Sequence, residues 1–71
     1  MMAEMTLLKV FYDLEKTEHK EITTVTHTTT GMTKELFDTA LTSLQEHGYL
    51  TITSKGAIRL TKKGHILGKE L

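Results

Sequence analysis

Cysteine is absent from this 71-residue chain. That excludes a disulfide framework and any thiolate-held metal or redox centre. No apolar run approaches the roughly 18 residues that a membrane span needs, and no apolar leader precedes the first polar residues. Together these absences set the expectation of a cytoplasmic protein. Net charge is also missing: nine basic side chains balance nine acidic ones. A strong sequence-independent attraction to nucleic acid is therefore not expected of the chain as a whole. At this length one domain spanning 1–71 is expected, burying only about 60% of the surface its unfolded chain exposes.

The balanced total conceals a division. Residues 1–47 carry eight acids against four lysines, a net of −4. Residues 48–71 carry Lys55, Arg59, Lys62, Lys63 and Lys69 against Glu70, a net of +4. Whatever the second part builds holds the cationic surface.

Apolar spacing predicts the elements. Over 3–16 no glycine or proline intervenes, and Leu7, Val10, Phe11 and Leu14 recur at helical intervals. Met5, Leu8 and Tyr12 form a second stripe beside the first, so the apolar arc is wider than that of an ordinary surface helix. Such an arc suits a central helix covered on two sides, or one whose second stripe meets another copy of the chain. A polar loop is expected at Thr17–Lys20, and Glu21-Ile22-Thr23 fits a short strand. The threonine-rich run that follows, to Gly31, disfavours a regular helix because β-branched side chains lose χ1 freedom there. It reads as a short, irregular or missing second helix, or as an extended strand-like segment, serving as a solvated connector.

Thr33 is a suitable N-cap, Glu35 complements the positive end of a helix, and Gly48 suits the left-handed position after the last turn. Between them Leu36, Phe37, Ala40, Leu41 and Leu44 fill one face. Tyr49–Thr53 and Ala57–Leu60 alternate around Ser54-Lys55-Gly56, which predicts a β-hairpin. Leu50 and Ile52 share a face, as do Ile58 and Leu60, with Arg59 opposite. Thr61 fits the cap of a final helix through Leu67, weakened by Gly64 and Gly68.

The order of these elements resembles the winged helix-turn-helix family over nearly the whole chain. Two stretches carry the likeness: Leu41 to Leu50, with Leu44 and His47-Gly48-Tyr49, and Arg59-Leu60-Thr61-Lys62-Lys63-Gly64. Thr33 through Tyr49 is also similar to small YjcQ-like winged-helix proteins. The resemblance implies an α+β winged-helix domain whose second helix is short or irregular, and double-stranded DNA as its partner. It makes Lys55, Arg59, Lys62 and Lys63 candidate phosphate contacts on the wing, and Lys34, Thr42 and Gln45 candidate contacts on the recognition helix. Yet the outward side of that helix also carries Glu35, Asp38 and Glu46, which phosphates repel. These acids suit instead a basic protein partner, met by an adaptor or anti-repressor. Met5, Leu8 and Tyr12 are the candidate homodimer stripe.

No catalytic or cofactor site is expected. His19, His27, His47 and His65 lack the spacing of a metal site. The glycines stand apart as caps and turns rather than as a phosphate loop. Ser43 and Ser54 belong to no nucleophile motif. A chain this small has little volume for a substrate pocket.

Overall fold

The computed structural model describes residues 2–18 and 30–71. Among them are three helices and one antiparallel hairpin: α1 (Met2–Glu18), α2 (Lys34–Glu46), β1 (Leu50–Ile52), β2 (Ile58–Leu60) and α3 (Lys62–Glu70). The class is α+β. No described helix is long and apolar enough to cross a membrane. The expectations for Glu21-Ile22-Thr23 and for the threonine run over 24–29 fall outside the described residues.

α1 is the central element, packed against α2, α3 and β2. Covering on several sides explains its wide apolar arc: Leu7, Leu8 and Phe11 are all completely buried. The helix runs to Glu18, so Thr17 and Glu18 extend it rather than open the expected loop. Phe37, Ala40 and Leu44 of α2 meet α1, and Leu50, Ile58 and Leu60 of the hairpin complete the core. Leu36 departs from expectation. It is 46% exposed, because it lies at the edge of the apolar arc and lines a surface groove with Ala3 and Ala40.

Local chemistry fixes the ends of α2. The Thr33 hydroxyl accepts from the Leu36 N–H at 3.1 Å, satisfying one of the donors that a helix start leaves open. At the other end Gly48 has φ +78°, Tyr49 N–H reaches the Leu44 carbonyl at 2.9 Å, and Gly48 N–H reaches Gln45 at 3.1 Å. This pair of bonds is the Schellman closure that positive φ permits.

The chain then enters the hairpin directly, with Leu50 opposite Leu60, Thr51 opposite Arg59 and Ile52 opposite Ile58. Each strand keeps only three residues, shorter than the alternation predicts. Gly56, at φ +83°, closes the turn by donating to the Thr53 carbonyl at 2.9 Å. Ile52 does not share the burial of Leu50. Two residues nearer the turn, it is 37% exposed.

α3 is longer than expected, reaching Glu70, and its two glycines have a tertiary reason. A Cβ on Gly64 would collide with the Tyr49 carbonyl, and one on Gly68 would lie 2.7 Å from the Tyr12 ring. Glycine lets α3 seat against the hairpin start and α1, which offsets its poor helix propensity.

Candidate functional site

The α2 end and the α3 start are clasped together. Thr61 Oγ1 accepts from the Gly64 N–H at 3.1 Å as N-cap and donates to the Gly48 carbonyl at 2.6 Å. Lys63 Nζ donates to the His47 carbonyl at 2.8 Å and lies 4.7 Å from the Tyr49 ring centroid. A lysine on the last carbonyls of a helix relieves the negative end of its dipole. Lys63 is therefore committed to the fold, which its place in the basic run of the sequence does not reveal.

The remaining candidate phosphate contacts of this region are differently placed. Lys55 stands exposed at the hairpin turn, and Lys62 is exposed just beyond β2. Among the described residues neither has a carboxylate partner. Arg59 is exposed on the outward face of β2, across from Thr51, and also engages another group of the chain. The structure thus puts Lys55 and Arg59 on the hairpin and Lys62 at its foot.

On α2 the outward residues Lys34, Glu35, Asp38, Thr42, Gln45 and Glu46 are all exposed. Lys34 Nζ bonds Asp38 at 3.0 Å, one helical turn on, so the helix's one lysine neutralises one of its acids. Spacing alone allowed that pairing. Glu35 and Glu46 have no cation partner among the described residues. Asp38, Thr39, Thr42, Ser43 and Glu46 line a shallow groove of about 370 Å³.

Two carboxylates of α1 act as ties that sequence reasoning missed. Glu15 Oε2 accepts the Leu60 N–H at 3.1 Å, on the outer edge of β2, while Oε1 meets His65 Nε2 at 2.6 Å. This carboxylate joins α1, β2 and α3. Glu4 accepts from the Ser43 hydroxyl, joining the first turn of α1 to α2. That hydrogen bond holds the Glu4 carboxyl below the ordinary carboxylate value, against the opposing effect of desolvation. Neither tie has a local signature, since its partners lie 45 and 39 residues away.

The candidate self-association stripe is broken up. Leu8 has no exposed surface and offers nothing to a second chain. Tyr12 is half-buried, with Gly68 beneath its ring. Met5 is half-buried as well. No group of three or more His, Cys, Asp or Glu suited to a metal ion occurs among the described residues. His47 instead turns Nδ1 toward the Ser43 carbonyl at 2.7 Å.

Comparison of the chain with family models, curated proteins and solved structures gives no match.

Proposed function

We propose that the chain is a winged-helix DNA-binding module, of the kind that serves as a small transcriptional regulator, with the β1–β2 hairpin as its wing. The element order supports this: α1, then a capped amphipathic helix running through Gly48 straight into a hairpin. One observation carries the choice of ligand. Lys55, Arg59 and Lys62 are all exposed, on the hairpin and at its foot. Phosphates are met by such cations without regard to sequence. Thr42 and Gln45 are the exposed groups of α2 able to read base edges, but they stand among Glu35, Asp38 and Glu46. The wing therefore supplies most of the affinity.

The test is fluorescence anisotropy of a labelled mixed-sequence duplex, titrated between about 20 and 200 mM salt, where three phosphate contacts give a log–log slope near −3. Lys55→Ala and Lys62→Ala each lower the slope by roughly 1, and Arg59→Ala, whose side chain also engages another group of the chain, by no more than that. Lys63→Ala changes it less, because that ammonium is bonded to the His47 carbonyl. No binding at the lowest salt overturns the proposal.

The unpartnered Glu35 and Glu46 favour a second reading, a protein-interaction module whose α2 face meets a basic partner surface. The double variant Glu35→Lys/Glu46→Lys separates the two. Stronger DNA binding means the acids merely limit DNA affinity, whereas unchanged DNA binding with lost capture of a basic partner favours the protein reading.

A further inference from the structure

The outer side of α3 enters the reading above only through Lys62. Lys62, Ile66 and Glu70 follow at four-residue intervals and so form one ridge along the helix: cation, aliphatic, anion. Ile66 is 54% exposed. Together with the ridge, Tyr49, Lys63 and Leu67 line an open groove of about 490 Å³. Lys69, next to Glu70 in sequence, does not line this groove.

The two charges are badly placed for an isolated helix. Lys62 lies in the first turn, at the positive end of the helix dipole, and Glu70 lies in the last, at the negative end. Lys63, also in the first turn, is relieved by the His47 carbonyl. Lys62 and Glu70 have no ion-pair partner among the described residues.

We propose that this face joins two copies of the chain, related by a two-fold axis beside Ile66 with their α3 helices antiparallel. The order cation, aliphatic, anion is its own complement when reversed. The two-fold sets Lys62 of each protomer against the partner's Glu70, and the Ile66 side chain of each enters the groove beside the partner's Tyr49. Each helix end then lies near the opposite end of the other dipole. A self-complementary patch of this kind is what an isologous contact requires. Rows of four-residue spacing interdigitate at a crossing angle near 50°. One helix face falls well short of the roughly 800 Å² per partner of a standard interface, so the dimer is weak and concentration-dependent.

Charge reversal tests the arrangement by sedimentation equilibrium from about 10 μM to 1 mM, a range that suits an interface below standard size. The unaltered chain dimerises across this range. K62E and E70K each create two like-charge contacts and weaken dimerisation by about tenfold or more, and K62E/E70K restores it with the charge order inverted. Because the chain has no cysteine, I66C gives a second readout. Its thiols lie near the axis, so mild oxidation yields a disulfide-linked dimer, more slowly with K62E added and again rapidly with K62E/E70K. Ile66 is exposed, so its replacement leaves the core intact. A monomer throughout the range, single reversals without effect, or a double reversal that fails to restore dimerisation overturns the proposal. None of these measurements contains nucleic acid. A chain that binds DNA yet stays monomeric throughout this range refutes the dimer alone, and one that dimerises without binding DNA refutes the DNA reading alone.

Discussion

α2 and α3 make an instructive pair. Both are short, both start at a threonine cap, and both lie on α1. α2 is held by what it inserts, since Phe37, Ala40 and Leu44 are its buried residues. α3 is held by what it omits: its buried residues are Gly64 and Gly68. With little apolar surface to bury, α3 depends on close approach and on directional bonds from Thr61, Lys63 and His65. Apolar content thus explains how firmly α2 is seated and says little about α3. The same difference separates their outer faces. α2 turns acids outward, whereas α3 leaves an exposed aliphatic between opposite charges.

The most damaging way to break this contrast is at α2. Leu44→Ala removes a side chain that is 1% exposed at the centre of the core. The cost is about 2–5 kcal/mol, out of a total of roughly 4–10 kcal/mol for a domain of this length. Urea denaturation should show a much lower midpoint or a chain largely unfolded at 25 °C. A loss under 1 kcal/mol would mean that α2 is not seated on α1 as described.

At α3 the sharper test adds atoms. In an ordinary helix interior, glycine to alanine stabilises by about 1 kcal/mol. Gly64→Ala should do the opposite, lowering stability by about 1–3 kcal/mol, because the new methyl meets the backbone carbonyl of Tyr49 rather than a side chain able to turn away. A variant that melts higher than the parent would show that α3 stands off from the hairpin.

That sign reversal marks where sequence reading stops. α2 was legible because its signals are local: a cap at Thr33, the spacing of Phe37, Ala40 and Leu44, and a glycine at 48. The hairpin was legible for the same reason, and alternation placed Arg59 outward. Gly64 and Gly68 looked like weak points because the groups that require them, Tyr49 and Tyr12, are distant in sequence. Leu8 falls on a second stripe by periodicity, and only packing on several sides of α1 shows that residue to be core. Among the candidate cations, Lys55 and Lys62 keep the exposure expected of them. Lys63 does not keep its freedom, since its partner is a backbone carbonyl 16 residues away, a contact that side-chain patterning does not encode.

The caps offer a finer comparison. Thr33 closes the start of α2 with one side-chain bond, to the Leu36 N–H, whereas Thr61 makes two, one of them back to Gly48. Thr33→Ala should cost about 0.5–1 kcal/mol and Thr61→Ala about 1–2 kcal/mol, measured by thermal melts at one pH. Equal losses would remove the clasp between α2 and α3 from the account.

The smallest effect belongs to the seam between α1 and α2, and its signature is pH dependence rather than size. The Ser43 hydroxyl holds the Glu4 carboxyl below its ordinary value of 4.5. A carboxyl depressed in the folded state contributes stability that is fully present above its unfolded value and disappears as pH falls through the folded one. Glu4 also occupies the first turn of α1, where its negative charge suits the helix dipole. Ser43→Ala should therefore lower the melting temperature slightly at neutral pH. The difference from the parent should shrink to nothing as acid protonates Glu4 in both proteins. Thr61→Ala, whose bonds involve no titrating group, should lower the melting temperature by a similar amount at every pH where the fold persists. If the Ser43→Ala deficit persists in acid, the hydroxyl supports α2 by packing and its bond to Glu4 contributes nothing measurable.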